Sequence, residues 1–116
     1  MGLCDVTSID HFNSLVKDSP IIIFDFWAEW CMPCMEFLPI FSKFAKLYDS
    51  LIEFAKINID DFEEITEKFD LNVFPSYLIF VDNILVLKRE TLLTEGQFAQ
   101  IMQSLSTNQP INEEFL

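Results

Sequence analysis

Glycine is scarce, with two residues in 116. So few leave little room for left-handed turns and long irregular loops, and they favour regular elements. Cysteine is scarce too: Cys4, Cys31 and Cys34. A disulfide-stapled secreted scaffold would carry more, in even number. One close pair and one stray thiol fit a reducing compartment, read here as the cytoplasm, with an organellar or exported form left open. Basic residues number 7 against 19 acidic ones, for a net charge of -12. Nucleic-acid binding and docking to anionic membrane both need a basic face, so neither partner is expected. The acidity serves solubility or the steering of basic partners, and it is densest over residues 60–67. Long apolar runs are missing as well. Those at 21–24 and 77–81 have the length of strands and are far too short to span a membrane. Residues 1–11 have neither a basic start nor an apolar stretch, so no secretory signal is expected. The Met-Gly-Leu-Cys start invites a lipidation reading, but Val6 stands where the myristoylation pattern has Ser or Thr. An unmodified N-terminus is expected.

What is present is core material. Hydrophobic residues make up 51% of the chain, 13 of them Phe, enough for one domain and too short a chain for two. Residues 3–6 suit a short strand. Thr7 or Ser8 can cap a helix through His11, Phe12, Leu15 and Val16, which ends at Asp18-Ser19-Pro20. Residues 21–27 are nearly all apolar and partly β-branched, as in a strand buried on both faces, with Asp25 as the interruption. Phe37, Phe41, Phe44 and Tyr48 fall at helical spacing within 33–48, where Pro39 predicts a kink. A third strand is expected over 51–59. Asp60 or Asp61 can cap a short acidic helix ending near Phe69. Strands at 76–81 and 84–88 flank Asp82-Asn83, a pair that tolerates the positive φ of a tight hairpin. A last amphipathic helix over 94–105 aligns Phe98, Ile101, Met102 and Leu105.

The order is β-α-β-α-β-α-β-β-α. Strands separated by helices imply parallel crossovers, and the late hairpin adds an antiparallel edge. The predicted class is α/β, with a central mixed sheet flanked by helices on both faces. Residues 1–105 form the expected domain. Residues 106–116 read as a flexible tail, in which Phe115 and Leu116 are able to dock.

Cys31 and Cys34 follow a buried strand and open a helix. Thiol-disulfide exchange needs a thiolate, and a helix N-terminus supplies free N–H groups and partial positive charge that favour one. Cys31 at the helix mouth is then the nucleophile, and Cys34, one turn inside, the resolving thiol. A zinc site would need four ligands. Cys4 and His11 are the remaining soft candidates, so no metal is expected. Cys4 reads as a spectator and His11 as a surface or capping residue.

The segment Asp25-Phe-Trp-Ala-Glu-Trp-Cys-Met-Pro-Cys34 resembles the active-site segment of the thioredoxin family, whose usual core is Trp-Cys-Gly-Pro-Cys. Phe54-Ala-Lys-Ile-Asn-Ile-Asp60 and Val73-Phe-Pro-Ser76 resemble that family's third strand and cis-proline loop, and Gly96-Gln-Phe98 fits the start of its last helix. The resemblance spans roughly residues 3–105. It implies a thioredoxin fold and a monomeric protein-disulfide reductase recharged by a thioredoxin reductase. It implies no bound cofactor, because the Cys31–Cys34 disulfide is itself the redox group. Residue by residue, Asp25 is the buried proton acceptor or donor for Cys34, and Lys56 modulates it. Pro75 is cis and faces the cysteines. Trp30, Met32, Pro33 and Phe74 join it in binding the substrate, and Pro33 withholds one N–H from the thiolate.

Met32 replaces the usual Gly, Met35 a common Lys, and Thr91 a usual Gly in the loop before the last helix. Two rival readings follow: an isomerase or oxidase in an oxidising compartment, kept open by Met32, and a binding module that uses the fold as an adapter.

Overall fold

The computed structural model describes residues 3–115. The expected unmodified start at Met1 and Gly2 lies outside them, as does Leu116. The docking expected of Phe115 falls outside the described side chains.

Strand β1 (Leu3–Asp5) leads into helix α1 (Ile9–Asp18), β2 (Ile21–Trp27), α2 (Met32–Leu47), β3 (Glu53–Asn58), α3 (Glu63–Lys68), β4 (Ser76–Val81), β5 (Ile84–Arg89) and α4 (Glu95–Ser106). The sheet order is β1-β3-β2-β4-β5. Strand β3 runs parallel to β1 and β2, while β4 is antiparallel to both β2 and β5. This is the predicted mixed sheet.

Local chemistry accounts for most boundaries. Ser8 caps α1, its Oγ accepting the His11 N–H at 2.9 Å. His11 returns a cap of its own, Nδ1 accepting the Thr7 N–H at 3.0 Å. Asp82 and Asn83 take φ of 50° and 68°, as the hairpin between β4 and β5 requires. Thr94 and Gln97 form a capping box at α4. At its other end Asn108 (φ 56°) closes a Schellman turn, with Gln109 N–H on Ser104 O at 2.8 Å and Asn108 N–H on Leu105 O at 3.3 Å. The chain beyond folds back far enough to rest Ile111 against the core.

One expected cap is absent. Helix α3 begins at Glu63 behind Phe62, with no side-chain cap, so neither Asp60 nor Asp61 serves it. Both lie in the preceding turn, where their N–H groups bond to Asn58, and Asp60 has another partner, described below.

Side chains alternate along β2. Ile22, Phe24 and Phe26 join Phe12 of α1 and Ile65 of α3 on one face. Ile23 joins Phe37, Phe41 and Phe44 of α2 and Phe98, Ile101 and Met102 of α4 on the other. Phe98 is fully buried, with its ring centroid 5.2–5.9 Å from those of Phe37, Phe41 and Phe44. Truncating a buried Phe to Ala typically costs about 3–5 kcal/mol. Phe98→Ala should lose that much in urea unfolding of the oxidised protein. A loss below about 1 kcal/mol would show that α4 is not pinned by this ring cluster.

Candidate active site

Strand β2 ends at Trp27, and four residues later Cys31 becomes the N-cap of α2. Its N–H bonds to Ala28 O at 3.1 Å, which fixes the approach to the helix. Cys31 and Cys34 are joined as a disulfide with Cα atoms 5.2 Å apart. The Cys31 Sγ accepts the Cys34 N–H at 3.2 Å. Pro33, in the first turn, has no N–H to offer, so Cys34 supplies this contact. No acidic side chain occupies that turn to oppose the helix field.

The two sulfurs differ in access. Cys31 is 6% exposed and Cys34 is not exposed at all. Around them, Trp30 and Met32 are 64% and 67% exposed, with Met35 and Val73, beside Cys34 and Phe74 in sequence, also open to solvent. Phe74 is half-buried. Its carbonyl lies 3.7 Å from the Cys31 Sγ, and the Phe74–Pro75 peptide is cis. The predicted pairing of the proline loop with the cysteines is present. Thr91 is exposed and is not among the non-glycine residues at positive φ, so its backbone does not need the glycine that the family usually has there.

Asp25 occupies the face of β2 that α2 covers. It is fully buried, and neither carboxyl oxygen has a hydrogen-bond partner among the described residues. Burial pushes its pKa up to about 8, against a smaller opposing pull from Lys56. Lys56 pairs with Asp25 in register on β3, as the expectation of a neighbour requires. Its ammonium, however, lies 3.4 Å from Asp5 Oδ1 and 5.6 Å from the Trp27 ring centroid. On the other flank, Tyr77 pairs with Asp25. Burial, then the Asp25 charge, keep its phenol protonated well above the usual range. Its Oη accepts the Leu93 N–H at 3.4 Å.

Asp60 is a site residue that local sequence rules assign elsewhere. Both its carboxylate oxygens accept the Trp30 indole N–H, at 3.1 and 3.2 Å. Beside it a groove of about 630 Å³, lined by Glu63, Glu67 and Asp70, runs to Phe74. Cys4 sits apart on the edge strand β1, half-buried, its pKa raised by burial and then by Glu53 and Asp5.

The thioredoxin family model matches residues 4–104. The chain belongs to the thioredoxin family. It is 38% identical over 78 residues to a thioredoxin of Coprinus comatus, covering 66% of this chain and 74% of that one. Thioredoxin 1 of Plasmodium falciparum is 33% identical over 75 residues, covering 65% and 71%. Among solved structures, a Plasmodium falciparum thioredoxin superposes with a TM-score of 0.80 at 27% identity, covering 86% of this chain and 96% of that one. A mutant thioredoxin from Halobacterium salinarum superposes at 0.81 with 21% identity, covering 90% of each, a likeness of fold. This member of the family is a dithiol-disulfide oxidoreductase whose redox group is its own Cys31–Cys34 pair.

Burial of Asp25 also couples stability to pH. Its folded pKa of about 8 lies above its unfolded value of 3.8, so the folded state holds a proton that the unfolded state releases. The contribution is most favourable below pH 3.8 and is lost as pH rises through about 8. A proton held in one state and released in the other is worth about 1.4 kcal/mol per pH unit, so by pH 7 ionisation of the unfolded chain costs the fold on the order of 4 kcal/mol. Asp25→Asn, a neutral isostere, should match the oxidised wild type in urea at pH 4 and exceed it increasingly up to pH 8. A stability gap that stays constant across this range would remove Asp25 as the titrating group.

Proposed function

We propose that this thioredoxin-family protein is a general reductant of protein disulfides in the cytoplasm, with Cys31 attacking and Cys34 resolving. The carrying observation is the asymmetry of the two sulfurs, one at the rim and receiving a helix N–H, the other fully enclosed. In the reduced protein the Cys31 thiolate attacks one sulfur of a substrate disulfide. That S–S bond breaks, and the departing substrate thiolate takes a proton. The Cys34 thiol then gives its proton to the Asp25 carboxylate and attacks the Cys31 sulfur. The mixed disulfide breaks, the second substrate sulfur leaves as a thiolate that takes a proton from solvent, and two electrons have passed to the substrate.

The exposed Trp30 and Met32, with Phe74 and Pro75, form the surface on which the substrate docks. Asp60 holds the Trp30 indole in place for that task. Pro33 limits the N–H groups that stabilise the thiolate, which favours a reducing poise. A thioredoxin reductase recharges the disulfide, and the protein acts as a monomer. The single close cysteine pair supports a reducing compartment.

Met32 favours a second reading, an isomerase or oxidase, because residues between the cysteines tune the potential. Equilibration against glutathione separates the two. Other dithiol proteins set the scale, with about -270 mV for a reductant and about -180 mV for an isomerase. A value near the first is expected here, and a value near the second would replace the reductant reading.

The assigned roles differ in their variants. Cys31→Ser should abolish reduction of an insulin disulfide, while Cys34→Ser should retain attack and accumulate mixed disulfides visible on non-reducing gels. Equal behaviour of the two would overturn the assignment. Asp25→Asn should slow the reduction of substrate and alter its pH profile. An unchanged profile would take Asp25 out of the exchange.

A further inference from the structure

Strand register places five polar residues in one transverse row: Asp5 on β1, Lys56 on β3, Asp25 on β2, Tyr77 on β4 and Arg89 on β5. Residues opposite each other across strands project to the same face. Lys56 therefore stands between two carboxyls of opposite character. Asp25 is sealed from solvent, whereas the Asp5 side chain is 69% exposed. The ammonium lies with Asp5, at 3.4 Å, and over the Trp27 ring. The Lys56 side chain keeps 24% of its surface exposed. Turning inward would strip water from the ammonium, a cost that Asp5 adds to by offering a hydrated partner at the open edge.

We propose that Asp5 is a positioning residue, which holds the Lys56 ammonium at the sheet edge and so controls how much positive charge reaches the Asp25 carboxyl. The significance for catalysis rests on the reading of Asp25 as the proton acceptor for Cys34. The other groups facing Asp25 do not duplicate this control. Tyr77 stays neutral, Arg89 lies one strand beyond it, and α2 sets the uncharged Phe37 against the Tyr77 ring.

Releasing Lys56 from Asp5 should let the ammonium favour the ionised form of Asp25 and lower the pH at which it titrates. The exposed pair is weak, so the expected movement is a few tenths of a pH unit. The test is a carbon-13 NMR titration of the Asp25 carboxyl in the oxidised protein, where Cys31 and Cys34 do not titrate. Asp5→Asn should shift the midpoint down, and Asp5→Glu should leave it near wild type. Lys56→Met should shift it up. In the Lys56→Met background, Asp5→Asn should produce no downward shift.

No shift in Asp5→Asn would overturn the proposal. So would an equal shift with and without Lys56, since Asp5 would then act by direct repulsion of Asp25. The role of Asp25 itself is read separately, from the pH profile of Asp25→Asn turnover. A flat result there, beside a Lys56-dependent shift here, would remove Asp25 from the chemistry and leave the positioning by Asp5 established.

Discussion

Strand β2 is hydrogen-bonded on both edges and covered on both faces, and its register fixes where everything else in the site arrives. Trp27, its last residue, pairs with Asn58 at the end of β3. Two residues beyond Asn58, Asp60 meets the indole of Trp30, three residues beyond Trp27. Phe26 pairs with Ser76 at the start of β4. Pro75, directly before Ser76, therefore lies at the end of the strand from which Cys31 emerges. Three segments far apart in sequence meet because each is tied to the same two residues of one strand. A slip of one residue in either pairing would exchange the two faces of β2, and the two different aromatic clusters packed against them resist that slip.

That arrangement also places a carboxyl where solvent does not reach. A polar group in such a strip is retained against its desolvation cost, and here it carries no compensating hydrogen bond among the described residues. The rings around Phe98 and Phe12 supply the burial that offsets it. On the proposed mechanism, stability and chemistry thus pull against each other at Asp25, and the core is large enough for the fold to tolerate the conflict.

Much of this was legible in the residues. The β2 run, the α2 stripe, the Asp82-Asn83 hairpin and the Ser8 cap are local patterns, and local patterns survive folding when tertiary contacts agree with them. The Cys31–Cys34 chemistry was legible for the same reason, since a thiol pair at a strand-to-helix junction carries its own electrostatics. Asp60 was misread because it is a competent N-cap by local rules, yet the Trp30 indole lies within reach of its carboxylate. Nothing local marks Asp5. Its pairing with Lys56 exists only because β1 docks on β3 in one register. Ile111 lies in a stretch polar enough to read as tail, and its contact with the core depends on the Schellman turn at Asn108.

On the proposed mechanism, the titration midpoint of Asp25 matters more than its burial as such. A midpoint of about 8 leaves roughly one molecule in ten ionised at pH 7. The ionised form takes the proton from Cys34 when the mixed disulfide is resolved. The neutral form gives a proton to Cys34 when a reductase opens the disulfide. A carboxyl held far below neutrality would serve the first step and fail the second, and one held far above would do the reverse. A group that must act in both directions needs a midpoint near the working pH. Desolvation alone drives the midpoint upward, so a cation close by must moderate it. Lys56 supplies that cation, and its distance from Asp25 becomes the adjustable quantity.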